Sequence, residues 1–305
     1  MKKILYTLLL IIILLLTITH KNKIIRFIMI NFIDNNLKFE EKNEYYKDYD
    51  YAFVQNTNNL YPTSKQEVLN IIYTTLNRGI DEIIFYCDYK GCQEDVNNLA
   101  ENKETLSSIN NLVHPFNSYH NIYFTITDYD KIIVKTKKQY SDSEIILINN
   151  KLNQIINSLF NENTNEYNKI KLFHDYIINN TIYDESINNE NQSYSNTNAN
   201  KATGLLFEGK AICSGYSDTM AIFLNKYNIN NYKISSADHI WNLVYINNEW
   251  KHIDATWDDP VTSNGKNVLL DDFFLISTTE LMQKEKELEI SNHDYDTNIY
   301  IEANQ

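Results

Sequence analysis

The sequence predicts an α+β protein, and three observations carry that prediction. Ser64 and Glu67, and again Ser141 and Glu144, stand at capping-box spacing ahead of apolar residues that recur every three or four positions. Short apolar runs come in pairs around polar turns, near 122–136 and 240–253, as antiparallel hairpins do. Cys213 opens a further stripe of helical period between those regions. The chain has 305 residues, 43% of them hydrophobic, so it can bury a core and has room for roughly two domains.

The elements follow in order. Lys2 and Lys3 precede an uncharged run from Ile4 to Thr19, almost all Ile and Leu. Its length lies between a signal-peptide core and a full membrane span. No Ala-x-Ala cleavage site and no cysteine for lipid attachment follows. Residues 1–33 are therefore expected to form a signal anchor, tethering the body to a membrane outside the cytoplasm. Secretion after cleavage is the second reading. Ile24 to Ile33 either extends the membrane contact as an interfacial helix or starts the soluble fold.

Residues 34–60 are polar, acidic and Tyr-rich, and are expected to be a stalk. Residues 61–140 form a small α+β module. Val68, Ile72 and Leu76 mark a helix, and Glu82 to Cys87 a strand. A polar helix spans Gln93 to Leu112, and two strands turn at Tyr129-Asp130. His114 and His120 lack thiol or carboxylate neighbours at a useful spacing and are expected to be structural or solvated. Cys87 and Cys92 flank a loop containing Gly91 and are a possible disulfide. As metal ligands they lack a second pair, so no metal is expected.

Residues 141–300 form the second region. Ile145, Ile148, Leu152, Ile155 and Leu159 line one helix; Ile170, Phe173 and Ile177 line the next, which carries His174. His174 is expected to be a packing residue. Residues 184–201 are Asn- and Ser-rich, without period, and read as a loop ahead of Cys213. A net charge of −13 argues against a nucleic-acid partner, which needs a basic footprint.

The chemistry lies in two short stretches. Gly204 and Gly209 bracket an apolar segment, and Cys213 then starts a helix. A thiol there meets the positive end of the helix dipole and free backbone N–H groups, which stabilise a thiolate and can also bind a developing oxyanion. Gly215 is expected to keep the approach to the sulfur open. Next, Ile240 to Ile246 and Glu249 to Ile253 read as a hairpin turned at Asn247-Asn248 with positive φ. That register sets Trp241 opposite Asp254 and His239 opposite Thr256. His239 and Asp254 then share a face as diagonal neighbours, about 7–8 Å apart along the backbone. The carboxylate can hold one ring nitrogen, leaving the other for Cys213. His252 is the rival imidazole, on the same face but nearer the turn. Asp258-Asp259-Pro260 is read as a strand stop rather than a cation site.

GKAICSGYS followed by HIWNLVYINNEWKHIDATWDDP resembles the transglutaminase-like superfamily of Cys-His-Asp proteins, its bacterial and kyphoscoliosis-peptidase-like branches more than the large calcium-dependent tissue enzymes. The resemblance covers about residues 165–262. It implies a papain-like core, with the Cys-bearing helix packed on an antiparallel sheet. It implies Cys213 as nucleophile, His239 as general base and Asp254 as the carboxylate orienting it. Trp241 and Asn242 match the residues after the family histidine, and Trp257 to Pro260 match its closing motif. Gly215, Tyr216, Trp241, Asn242 and Trp257 are the expected walls of the site. Thr203 departs from the aromatic that many relatives carry there, and no side-chain oxyanion donor is assigned.

The expected function is thiol-dependent acyl transfer on peptide or carboxamide bonds, with hydrolysis favoured over cross-linking, a protein or peptide substrate, and no cofactor. The alternative is a surface scaffold, or a peptide- or cell-wall-binding module, whose triad is idle.

Overall fold

The computed structural model describes residues 6, 14, 16–188, 198–261 and 268–304. Most of the run Ile4 to Thr19, and residues 189–197 of the loop before Cys213, lie outside the described residues. Among the described residues no helix is long and apolar enough to cross a membrane.

The chain enters through helix α1 (Lys21–Ile28), continued by a π-helical turn at Met29–Ile33. Polar contacts join this segment to the body. The Arg26 guanidinium donates to the Cys87 carbonyl at 2.8 Å and to Asp88 at 2.9 Å. Asp34 accepts from the Tyr86 hydroxyl at 2.5 Å and from Lys131 at 2.8 Å. Ile24 to Ile33 thus sits at the start of the folded body, with Phe27, Phe32 and Ile33 exposed.

The stretch 34–60 is not a stalk. Phe39, Tyr51, Val54 and Leu60 are buried in the first hydrophobic core. The composition misleads because tyrosine carries a large apolar ring as well as a hydroxyl. Tyr51 is 1% exposed and meets the rings of Tyr49, Tyr73 and Tyr232.

The first module follows the expected order with one break. Helix α2 (Lys65–Asn77) starts at Ser64, whose side chain accepts from the Glu67 N–H. Strand β1 (Glu82–Tyr86) leads to two helices, α3 (Cys92–Glu101) and α4 (Lys103–Leu112), in place of one. Asn102 divides them: its backbone leaves the helical region at ψ 84° and its side chain caps α4 by accepting from Thr105. A side chain able to cap competes with helix continuation. Strands β2 (Tyr119–Ile126) and β3 (Lys131–Lys138) then form a sheet of order β1-β3-β2, turning at Asp130 with φ 66°. Cys87 and Cys92 are disulfide-bonded. His114 is buried and accepts from the Phe116 N–H, a structural role, while His120 is exposed.

In the second region, α5 (Asp142–Leu159) opens on a complete capping box between Ser141 and Glu144, and α6 (Glu166–Asn179) follows. A short parallel pair, β4 (Ile182–Tyr183) with β5 (Lys210–Ala211), leads into α7 (Cys213–Lys226). Strands β6 (Asn231–Ser235), β7 (Ile240–Ile246), β8 (Glu249–Ile253) and β9 (Phe274–Ile276) form an antiparallel sheet in sequence order. Helix α8 (Thr278–Leu288) and a 3-10 turn at Ile301–Asn304 complete the described chain.

That sheet divides two cores, and strand alternation decides which side chain enters which. Val244, Ile246 and Ile253 pack with α5, α6 and α7. Tyr232, Ile234, Trp241, Leu243 and Trp250 pack with the first module. The Phe173 and Phe223 rings stack at 4.0 Å and lock α6 onto α7. Lys233 on β6 pairs with Asp218 on α7 at 2.5 Å, and Asn242 on β7 donates to the Ser217 carbonyl at 3.0 Å. These buried contacts set the position of the Cys-bearing helix against the sheet.

Candidate active site

Cys213 is the first residue of α7, and no side chain caps that helix. It is a free thiol of intermediate exposure. Among the described residues no capping oxygen, and in the first turn no acidic residue, offsets the positive end of the dipole; the Ile212 and Gly215 N–H groups are spent on the Ala199 and Ile212 carbonyls at 2.9 Å each.

Gly215 works differently from the expectation. A Cβ at this position would lie 2.5 Å from the Ala199 carbonyl oxygen and 2.9 Å from the Ala211 Cβ. The same carbonyl accepts the Ile212 N–H at 2.9 Å. The glycine therefore admits the 198–200 turn against the helix start, rather than holding a path open to the sulfur. Tyr216 is likewise no exposed wall: it is 1% exposed and donates to Asp259 at 2.5 Å. Thr203 Oγ1 is buried without a hydrogen-bond partner among the described residues.

The hairpin register is the one expected, with Asn242 paired to Ile253 and Leu243 to His252. Asn247 and Asn248 adopt φ 53° and 65°, the values a two-residue hairpin turn requires. Trp241 and Asp254, one step further along, are therefore opposite each other. His239 precedes β7, and its ring stacks on Trp241 at 5.7 Å with an interplanar angle of 13°. Its Nε2 lies 2.5 Å from Asp254 Oδ2. Cys213 lies near enough to the same ring to raise its affinity for a proton. Since Nε2 is engaged by Asp254, Nδ1 is the nitrogen left for the sulfur.

Burial alone would push the His239 ring down. The charge and hydrogen bond of Asp254, and then those of Cys213, outweigh it and raise the ring to about 10. Burial would also raise Asp254. The charge and hydrogen bond of His239, with a further contribution from His293, instead hold its carboxyl well below the usual range. Asp254 Oδ1 accepts the backbone N–H groups of Thr256 at 3.0 Å and Trp257 at 3.2 Å.

His252 is excluded as the base by its surroundings. Its Nδ1 accepts from Trp241 Nε1 at 3.0 Å, its Nε2 meets Thr278 Oγ1 at 3.0 Å, and burial pushes it down to about 3. His174 is fully buried between Asp175 and Asp258, joining α6 to the turn after β8. Asp258 Oδ1 also accepts the Phe273 N–H at 2.9 Å. Both of its oxygens are thus spent on closing the turn.

A cavity of about 350 Å³ opens beside His239, lined by Tyr183, Thr256, Trp257, Asp259 and Pro260, with exposed Asp238 and Val261 on its rim. Trp257 lines this cavity together with His239, while Cys213 is not among its lining residues. Burial pushes Asp259 up to about 6, against the hydrogen bond from Tyr216. A larger cavity of about 550 Å³ around Lys47 and His114 contains none of Cys213, His239 and Asp254.

The feature missed in the sequence is His293. Its side chain is fully buried, with Nε2 2.8 Å from Asp254 Oδ2. It lies 39 residues beyond Asp254, on an irregular segment without pattern, so no spacing rule pointed to it. His239, Asp254 and His293 bring ligand atoms within 4.8 Å of one another. The donor set suits a divalent transition metal, but both rings spend their inward nitrogens on hydrogen bonds to Asp254 Oδ2.

Residues 153–255 match the family model described as the transglutaminase-like superfamily. Among solved structures, one described as a TGase is 18% identical with a TM-score of 0.36; the match covers 61% of this chain and 52% of that one. A candidate cysteine protease from Cytophaga hutchinsonii is 14% identical with a TM-score of 0.28; the match covers 48% of this chain and 64% of that one. This chain spans less than two thirds of the length of either. No curated protein matches it. The stretch that supplies Cys213, His239 and Asp254 is thus identified with the transglutaminase-like superfamily.

Proposed function

We propose that the protein is a thiol-dependent acyl-transfer enzyme that acts on peptide or carboxamide bonds, with water favoured over an amine as the final acceptor. The observation that carries this reading is the meeting of Cys213, His239 and Asp254, with the ring raised to about 10 between thiol and carboxylate. At neutral pH a ring so placed is an imidazolium, able to give a proton to a leaving nitrogen, and the sulfur beside it is the nucleophile.

The thiolate attacks the carbonyl carbon, and first-turn N–H groups of α7 receive the oxyanion. His239 gives its proton to the leaving nitrogen as the C–N bond breaks, releasing the amine and leaving a thioester on Cys213. Water then attacks the thioester while neutral His239 takes its proton. The C–S bond breaks, the acid departs, and the thiolate–imidazolium pair is restored. Asp254 holds the ring throughout. The cavity beside His239 has an exposed rim, which supports access by water. The Cys87–Cys92 disulfide supports a body facing an oxidising compartment.

Thiol-probe labelling with mass spectrometry of trapped acyl adducts tests this. Wild-type protein should label at Cys213 at neutral pH and yield a thioester adduct, and Cys213→Ala should do neither. Labelling no faster than that of a free cysteine would leave the idle-triad scaffold as the better reading. Amine incorporated in place of water would identify a cross-linker.

A further inference from the structure

We propose that His293 is a positioning residue for Asp254, so that the segment following α8 is part of the active-site scaffold; the inference rests on the thiol-enzyme reading above. Asp254 Oδ1 is tethered by the backbone of Thr256 and Trp257. Oδ2 is held by two rings, His239 at 2.5 Å and His293 at 2.8 Å. The second torsion of an aspartate is broad and poorly determined by its own chemistry. With Oδ1 tethered by the backbone, His239 alone would hold Oδ2 from one side only. The second donor holds it from the other side.

His293 is itself fixed. Its Nδ1 lies 3.1 Å from Glu285 Oε1, which also accepts the backbone N–H groups of Asn292 and His293 at 2.8 Å each. Glu285 belongs to α8 and so ties the segment after the helix back onto it. The His293 ring stacks on Phe273 at 5.4 Å and stands edge-on to Trp241 at 4.7 Å and to His239 at 5.3 Å. The titratable groups facing it are Asp254, Glu285 and His239, with His252 further off. The result is an unbroken row: Glu285, His293, Asp254, His239, Cys213. Its first two members lie outside the stretch that matches the family model.

A purely structural role predicts that any side chain filling the gap between Phe273 and Trp241 suffices. A positioning role requires a donor aimed at Oδ2. Leucine fills the space without a donor, whereas glutamine can place an amide N–H near the position of Nε2. The measurement is the rate of iodoacetamide alkylation of Cys213 in the full chain, from about pH 5 to about pH 11, which brackets the His239 ring raised to about 10. Urea midpoints are recorded alongside. Wild-type protein should show a neutral-pH plateau from the ion pair. His293→Leu should lose that plateau and alkylate about tenfold more slowly at neutral pH, the effect of one hydrogen bond to a charged group. His293→Gln should recover most of the rate.

A folded leucine variant with the wild-type profile, or a glutamine variant no better than leucine, overturns the inference. Should the leucine variant fail to fold, Glu285→Gln replaces it. That change slackens the second anchor of the ring and should slow neutral-pH alkylation roughly threefold, and an unchanged profile counts against the inference. Wild-type protein without any plateau would instead defeat the thiol-enzyme reading, and this inference with it.

Discussion

Replacing Asp254 with Asn removes the charge that keeps the His239 ring protonated. A free imidazole titrates near 6.5, and this one is raised to about 10. At about 1.4 kcal/mol per pH unit, the gap favours the protonated ring by roughly 5 kcal/mol in the fold. For a raised value, the stabilisation is complete below about pH 6.5 and has drained away above about pH 10. Asp254 has the opposite sign: its depressed value stabilises above about pH 3.9 and is lost in acid. Both describe one shared interaction, so it is counted once, and roughly 5 kcal/mol is its upper bound.

The assay is urea unfolding of wild type and Asp254→Asn at steps from about pH 6.5 to about pH 10. The difference between the two curves cancels the titration of unrelated lysines and tyrosines. The wild-type advantage should shrink by several kcal/mol, roughly 5 at most, across that window. Iodoacetamide alkylation of Cys213 at neutral pH should be slower in the variant. A difference curve that stays flat would refute the claim that Asp254 holds the ring charged.

Further outcomes follow from packing. Gly215→Ala should cost about 1–3 kcal/mol in urea unfolding, because its Cβ would meet the Ala199 carbonyl at 2.5 Å; an unchanged midpoint would show that the 198–200 turn yields freely. Opening the Cys87–Cys92 bridge should cost about 2 kcal/mol for so short a loop and leave Cys213 alkylation unchanged. Loss of Cys213 reactivity on reduction would tie the first module to the site, contrary to that expectation.

The hairpin was readable from sequence because its determinants are local. Asn247-Asn248 adopts positive φ at low cost, and a two-residue turn leaves one register. That register alone sets Asp254 opposite Trp241 and on the face of His239. The capping boxes at Ser64 and Ser141 located helix starts for the same reason. The single helix expected over 93–112 failed on Asn102, where a capping side chain outcompetes helix continuation. The stalk expected over 34–60 failed because acidic composition hid Phe39, Tyr51 and Val54, whose burial depends on a surface supplied by distant strands. His252 and His239 looked alike in sequence. Contacts with Trp241 and Thr278 separate them, one of which comes from a helix that follows the whole sheet.

By itself the sequence determined the helix start at Cys213, the hairpin that carries His239 and Asp254, and the pairing between its strands. Each of these follows from backbone preferences within a few residues. Only the tertiary structure decided that Asp254 bonds the His239 ring, that Gly215 serves a turn packed on the helix, and that His293 holds the far side of Asp254. Those are contacts between segments tens of residues apart. They are settled by how two cores close on either face of one sheet, which no local pattern encodes.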